Sequence, residues 1–317
     1  MERMKVGFIA TVLNEEKTIV QFLDSLRNQT LIPAKVIIVD GGSKDRTLDL
    51  IRSHNIHTKT QVQVFQKRGN ISTGRNFALR KIDTDIIAIS DAGCVLERNW
   101  VKNIIEPFQK KNIEIVAGFY KGHFENNFQK NLIPFVLVMP DRVRDDFLPA
   151  ARSMAIRKKI LKDVGYFSEK LPYSEDYEFA RRLVNHNKKI FFAKEAIVSW
   201  APRSNLRDTF LMFYRYAYGD VLAGTIRPKV IALFVRYFII FCLIIWVLTK
   251  SVLLSGVLVA AFFIFYSLWA ISKNYKYVRN ISAVFYLPLF QFISDIAVIN
   301  GTILGGIKNL WATQEQR

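Results

Sequence analysis

Cysteine is nearly absent from this 317-residue sequence: Cys94 and Cys242 are the only two, and the second lies inside an apolar run. A disulfide framework is excluded. Histidine is scarce too, with four, and His54, His57, His123 and His186 show no zinc-ligand spacing. Acid is short relative to base, with 27 Asp and Glu against 45 Lys and Arg, a net charge of +18. Such a surplus suits nucleic acid or an anionic membrane surface. The sequence has no zinc-finger spacing, no aromatic RNA-binding signature and no basic block, so nucleic acid is not expected as a partner. Charge itself is missing from one long stretch. Between Val230 and Ile307 only Arg236, Lys250, Lys273, Lys276, Arg279 and Asp295 carry it. That stretch rules out a fully soluble protein, and it explains a mean hydropathy of +0.13 in a chain that is 23% charged.

What is present before that stretch is a mixed, globular composition. The apolar run within Met1–Leu13 is too short for a secretory signal and reads as a buried strand, Lys5–Thr11. A helix starting near Glu15 carries Ile19, Phe22, Leu23 and Leu26 on one face. Val36–Val39, Val62–Phe65 and Ile86–Ile89 are further short β-rich runs, with helices expected over Asp45–Ser53 and Thr73–Lys81 between them. Continuous apolar strands alternating with helices imply a mainly parallel α/β sheet covered on both faces. Beyond it, a helix is expected at Asn99–Gln109 and strands at Ile113–Ala117 and Arg152–Ile156. Gly118–Ala151 reads as an irregular, substrate-facing segment. A helix over Glu175–Asn185 and strands at Ile190–Phe192 and Ile197–Ser199 close the domain.

Asn205–Thr225 sets Phe210, Phe213, Tyr214, Tyr216 and Tyr218 among Arg207 and Arg215. Directly before an apolar span, such a segment suggests an interfacial helix. Three apolar segments follow, Val230–Leu248, Ser251–Ile271 and Ile281–Ile303, each long enough for a hydrocarbon core of about 30 Å. Thr249-Lys250 is the turn of a tight hairpin. Lys273, Lys276 and Arg279 fall in the next loop, and Arg203, Arg207, Arg215, Arg227 and Lys229 precede the first span. Both basic regions belong on one face, which the positive-inside rule makes cytoplasmic. The third segment holds Asp295 and Asn300, so it is a bundle helix with a polar interior face or a re-entrant segment. The expected division is 1–204, a catalytic domain; 205–228, a juxtamembrane amphipathic segment; and 229–317, a transmembrane region.

Chemistry collects at strand ends, where an open parallel sheet binds its ligand. Asp40-Gly41-Gly42-Ser43 ends the second strand, and its glycines let backbone approach a ligand that Asp40 can bond. Without the first glycine of a Walker loop, Gly42-Ser43-Lys44 is not one. Asp91-Ala92-Gly93 ends the strand at Ser90, where a carboxylate can ligate a cation shared with a diphosphate. Glu175-Asp176 opens a helix; the pair complements the helix dipole, and a carboxylate there can also take a proton from a hydroxyl. Arg75, after Gly69-Asn70 and Gly74, can pair with phosphate.

In order and spacing these clusters resemble family 2 glycosyltransferases, of the GT-A fold, over about Lys5–Trp200. Thr11-Val12-Leu13-Asn14-Glu15-Glu16 is similar to the family's opening strand and its Asn-Glu turn. Val39-Asp40-Gly41-Gly42-Ser43 resembles its Val-Asp-Asp-Gly-Ser signature, and Arg75-Asn76 its Arg-Asn before the central strand. Asp91-Ala92-Gly93 stands where the family has Asp-x-Asp, and Gly165 followed by Glu175-Asp176 resembles its acceptor motif. The resemblance implies a nucleotide-sugar site with Thr11, Glu15, Asp40, Gly42, Arg75 and Asp91, in which Glu15 and Asp40 contact the nucleoside. It implies Mg2+ or Mn2+ at Asp91, Asp176 as the catalytic base, and Arg152, Ser153 and Glu175 on the acceptor side; Arg215 joins that side not from the resemblance but from the basic, aromatic segment before the spans, where it can meet a lipid phosphate. Two departures stand out: Gly41 replaces the second Asp of the signature, and Gly93 the second acid of Asp-x-Asp.

The expected function is a multi-pass membrane transferase of the inverting kind, its catalytic domain facing the cytoplasm. It would move a sugar from a nucleotide-diphosphate sugar to a lipid-linked acceptor, either polyprenyl phosphate or a lipid-linked glycan, in contact with membrane lipid. Two rivals remain at this point. A processive polysaccharide synthase would need a translocation pore, for which three short-looped spans are few. A catalytically inactive scaffold is motivated by Gly41 and Gly93, against the retained Asp40, Asp91 and Asp176.

Overall fold

The computed structural model describes residues 5–54, 60–144 and 147–314. Of the residues singled out above, His57 and the first four lie outside the described ones. The chain divides into two compact units: residues up to His123 with Pro140–Ala201, and Phe124–Met139 with the chain from Pro202 onward.

The first unit alternates as its apolar runs require: β1 (Val6–Val12), α1 (Ile19–Arg27), β2 (Lys35–Asp40), α2 (Thr47–Ser53), β3 (Gln61–Gln66), α3 (Ile71–Lys81) and β4 (Ile86–Asp91). Then come β5 (Cys94–Leu96), α4 (Trp100–Ile105) and β6 (Ile115–Gly122); α5 (Asn127–Val136) belongs to the second unit. The first unit closes with β7 (Met154–Arg157), α6 (Leu161–Val164), α7 (Glu175–Asn185) and β8 (Ile190–Trp200). Eight strands form one sheet in the order β3-β2-β1-β4-β7-β6-β8-β5. The first four run parallel, β7 is antiparallel to β4 and β6, and β5 is antiparallel to β8.

The strands are apolar throughout because both faces are covered. Phe8, Val36, Ile38 and Ala88 pack on one side with Phe22, Leu23, Trp100 and Ile104. Their neighbours Ile9, Ile37, Val39, Ile87 and Ile89 pack on the other with Ala78, Leu79 and Phe179. Each fully buried side chain of this size contributes about 1.5–3 kcal/mol, so the alternation of Cβ direction along β1, β2 and β4 builds two cores at once. The ligand-bearing ends of β1, β2 and β4 are set side by side, with Thr11 opposite both Val39 and Asp91.

Three expectations are corrected. Gly118–Ala151 is not simply irregular: β6 continues to Gly122 and α5 follows. Asn126 Oδ1 accepts from Gln129 N at 2.9 Å while Gln129 Oε1 accepts from Glu125 N at 2.8 Å, a reciprocal cap that the Asn126-x-x-Gln129 spacing carries. The strands expected at Ile190–Phe192 and Ile197–Ser199 are one strand, β8, with an irregularity where its partner passes from Gly118 to Phe119. Lys273 and Lys276 lie on a helix and not in a loop.

The second unit comprises α5, α8 (Leu206–Leu222), α9 (Pro228–Leu248), α10 (Val252–Val278) and α11 (Ala283–Gln314). The last three are long and apolar enough to cross a membrane. In α8 Thr209, Met212, Phe213, Ala217 and Val221 are buried, while Arg215 and Tyr216 are exposed. Gly301 allows α11 to press against α8, since a Cβ there would collide with the Tyr214 carbonyl oxygen. Asp295 meets polar groups of all three apolar helices: Oδ2 accepts from Tyr266 Oη at 2.5 Å and Tyr237 Oη at 3.0 Å, with Arg236 Nη2 at 3.4 Å, and Oδ1 accepts from Gln291 Nε2 at 2.9 Å. The polar interior face expected of the third segment is therefore present at Asp295, whereas Asn300 turns back to Ile296 O within its own helix.

Candidate active site

The chain leaving β1 and the chain leaving β2 are tied together. Asn14, in the left-handed region at φ 53°, donates its N–H to Ser43 Oγ at 2.9 Å and accepts Lys44 N at 2.8 Å. Glu15 N donates to Thr47 Oγ1 at 2.7 Å. Asp40 is fully buried and braces this turn from inside. Its carboxylate accepts Gly42 N at 3.1 Å, Ser43 Oγ at 2.5 Å and Gln66 Nε2 at 3.2 Å. Gly42 at φ 102° makes the fold-back possible. Thr11 Oγ1 is buried at the end of β1 without a hydrogen-bond partner among the described residues.

Arg75 is the centre of the arrangement. It is 2% exposed, and it donates from Nη2 to Asp91 Oδ1 at 2.6 Å and from Nη1 to Glu175 Oε1 at 2.5 Å. One guanidinium thus joins the end of β4 to the first turn of α7, two segments 84 residues apart by the difference of 91 and 175. Burial works against its charge, but Asp91, Glu175 and Asp176 outweigh burial and raise its pKa above that of a free arginine. Burial also pushes Glu175 above the ordinary glutamate range, against the pull of Arg75 and with Asp176 adding to the rise. Asp176, partly exposed, accepts Tyr177 N at 2.8 Å and Ala151 N at 3.4 Å. Ser174, just before it, is held in the left-handed region at φ 59°, a strained entry to the helix.

The bridge is sealed by a loop that sequence reasoning passed over. Phe167 lies 5.3 Å from the Arg75 guanidinium and stacks on Phe179 at 4.4 Å. Asn76 holds that loop from α3, donating to Phe167 O at 2.9 Å and accepting Phe167 N at 3.0 Å. Asn70 caps α3 and donates to Glu169 O at 2.8 Å. Arg182 grips the loop from α7 through Val164 O and Tyr166 O at 2.7 and 2.8 Å. Asparagine directly before a helix was the legible signal. Asn76→Ala should lower the melting midpoint of the protein in detergent, because it strips two buried backbone groups of their partner at about 1–3 kcal/mol each. An unchanged midpoint would show that the loop is held elsewhere.

On the other side of β4, Arg152 lies over Tyr120 at 5.2 Å and over Trp200 at 4.8 Å. Ser153 stands apart from the other sequence candidates, fully buried between Trp100 Nε1 at 2.8 Å and Ala196 O at 3.2 Å. Burial, with the nearby Asp91 carboxylate, pushes the Cys94 thiol up to about 12, which disfavours the thiolate form. Arg215 belongs to the second unit, on α8. A Cβ on Gly93 would lie 3.6 Å from Glu15 Oε1 and 3.8 Å from Oε2. Among the described residues no three of His, Cys, Asp and Glu come together as a metal cluster.

Two family models match the chain, glycosyl transferase family 2 over residues 8–165 and glycosyl transferase family group 2 over residues 123–292. The O-antigen chain rhamnosyltransferase RfbN of Salmonella typhimurium is 24% identical over 225 residues, 67% of this chain and 71% of that protein. The mannosyltransferase PcManGT from Pyrobaculum calidifontis, solved with GDP-Man and Mn2+, is 16% identical with a TM-score of 0.64, across 94% of this chain and 87% of that one. Staphylococcus aureus TarS 1–349, solved with UDP-GlcNAc, is 22% identical with a TM-score of 0.50, across 68% of this chain and 66% of that one. The structural likenesses place the eight-stranded sheet in the GT-A fold. Since the family models together reach from β1 into α11, the sheet with its strand-end carboxylates and the apolar helices are parts of one kind of enzyme, and the chain belongs to glycosyltransferase family 2.

Proposed function

We propose that this glycosyltransferase moves a sugar, with inversion, from a nucleotide-diphosphate sugar to a lipid-linked acceptor at the cytoplasmic face of a membrane. The observation that carries the reading is the Arg75 bridge. Asp91 on the donor side and the first turn of α7 on the acceptor side are held by one buried guanidinium. In-line displacement needs the leaving diphosphate and the base on opposite sides of one carbon, at fixed separation.

Thr11, Glu15, Asp40 and Gly42 line the nucleotide side, Asp40 as the brace of a turn whose backbone meets the nucleoside. A divalent cation fits the donor end, because Asp91 is 31% exposed, engages Arg75 through Oδ1 and offers Oδ2 as a hard oxygen. When bound there, Mg2+ or Mn2+ neutralises charge on the departing diphosphate. Asp176 takes the proton of an attacking hydroxyl; with a phosphate acceptor, already anionic, it orients the nucleophile instead. Arg152, with its cation held over two aromatic rings, faces the acceptor side, and Glu175 holds Arg75 in place.

The apolar helices supply the reason for a lipid acceptor: its tail stays in the bilayer while its head group reaches the interface. Residues 205–228 form the interfacial segment of this reading, and Arg207 and Arg215 are its phosphate contacts. Arg227 is less suited, since it forks onto Asp220 at 2.6 and 3.0 Å.

A melting screen of the detergent-solubilised protein against nucleotide sugars, each with Mg2+ or Mn2+, tests the donor. A ligand at 100 times its Kd stabilises by about 2.7 kcal/mol, so one donor should stand out. With that donor radiolabelled, label is expected to enter the organic phase of a membrane extract. No donor stabilising the protein would sink the reading, and label confined to water-soluble product would remove the lipid acceptor.

A further inference from the structure

Gly93 removes an acid from the turn after β4, and the structure shows what stands in its space. β1 and β4 are parallel neighbours with Thr11 opposite Asp91, so the chain leaving β1 passes beside the turn leaving β4. Its backbone is fixed there by the bonds of Asn14 and Glu15 to Ser43, Lys44 and Thr47, and by Glu16 N to Asp45 Oδ2 at 3.2 Å. Thr18 Oγ1 donates to Glu15 Oε2 and orients the carboxylate. Both Glu15 oxygens then lie within 3.8 Å of the point where a Cβ on residue 93 would be. An aspartate places its own carboxylate oxygens roughly 2.4 Å from its Cβ. The Glu15 carboxylate therefore occupies the neighbourhood that an acid at position 93 would fill.

We infer that Glu15 and Asp91 together form the divalent-cation site, Glu15 supplying the carboxylate that the Asp91-Ala92-Gly93 turn lacks. The inference rests on the nucleotide-sugar reading of the site and changes the use of Glu15 from a nucleoside contact to a metal ligand. Asp91 meets Arg75 through Oδ1, which leaves Oδ2 and the Glu15 carboxylate as hard oxygens of the kind that suit Mg2+ or Mn2+. Diphosphate oxygens and water complete the coordination. In these terms Gly93 is the space that lets the longer side chain in, and the cation site is rebuilt from β1.

Mn2+ binding to the full-length protein in detergent, followed by the electron paramagnetic resonance of free Mn2+ with UDP or GDP present, tests this. Glu15→Gln should weaken Mn2+ binding at least about tenfold, as losses around a metal site do. Glu15→Ala with Gly93→Asp, which clears the space before refilling it with an acid, should restore most of that affinity, a rescue that a nucleoside-contacting Glu15 does not predict. Unchanged Mn2+ affinity in Glu15→Gln, a loss that Gly93→Asp fails to restore, or a wild-type protein that binds no Mn2+ each overturns the inference. Nucleotide-sugar binding without Mn2+ would leave the transferase reading standing, whereas absence of all nucleotide-sugar binding would remove that reading itself.

Discussion

Arg75→Met should be the most damaging single change in the catalytic unit, lowering its stability by about 3–5 kcal/mol. The side chain it replaces is 2% exposed and neutralises two carboxylates at 2.5 and 2.6 Å. Methionine fills much of the volume under Phe167 but leaves Glu175, itself 7% exposed, as a buried charge without its partner. The pH dependence gives the mechanism away. Burial already holds Glu175 above its ordinary range, and loss of Arg75 pushes it higher. A carboxyl whose folded pKa exceeds its unfolded one contributes fully below the unfolded value and loses that contribution as pH rises through the folded one. The gap between variant and wild type should therefore be narrow at acid pH, where Glu175 is protonated in both, and widen as the pH rises. Arg75→Met with Glu175→Gln removes both partners and should recover part of the loss. A variant that melts like wild type at every pH would show that the bridge holds nothing together.

Asp176→Asn should keep donor binding and lose about 10²–10⁴ of the rate of transfer to a hydroxyl acceptor. The amide retains the shape and can still accept Tyr177 N, but it cannot take a proton. Because Arg75 is bound by Glu175 and Asp91, the substitution leaves the bridge intact, and the protein should melt as wild type does. The size of the loss also reports on the acceptor. A phosphate nucleophile arrives deprotonated, so with polyprenyl phosphate the same variant should lose much less. Near-normal turnover with a confirmed hydroxyl acceptor would remove Asp176 from the role of base.

Much of the scaffold was legible in the linear chain, for reasons that are local. Val36–Val39 and Ile86–Ile89 are short, rich in β-branched residues, apolar on consecutive residues and closed by turn residues, the pattern of a strand covered on both faces. The acidic start Glu175-Asp176 fits a helix dipole, and α7 begins there. The three apolar stretches, with at most one charge each, could hardly be anything but long apolar helices, and they are. Less of the rest could be read. β5 is three residues long and exists because Val198–Trp200, about a hundred residues later, pairs with it. Asp40 looked the same on paper whether it faced a ligand or braced its turn; full burial and bonds to its own loop are tertiary facts.

The site itself divides along the same line. Sequence by itself determined which carboxylates stand at strand and helix ends, because strand ends and helix starts have local signals. Only the tertiary structure decided what each one does. Glu175 and Asp176 are adjacent acids, but successive helical residues point in different directions, so one is buried on Arg75 and the other is left partly exposed. Arg75 in a helix of polar and small residues reads as a solvated charge until the loop at Phe167 folds over it. Gly93 reads as a lost ligand until the turn after β1 brings Glu15 beside it. In each case the deciding partner is remote in sequence, and no local preference of the chain encodes which remote residue will arrive.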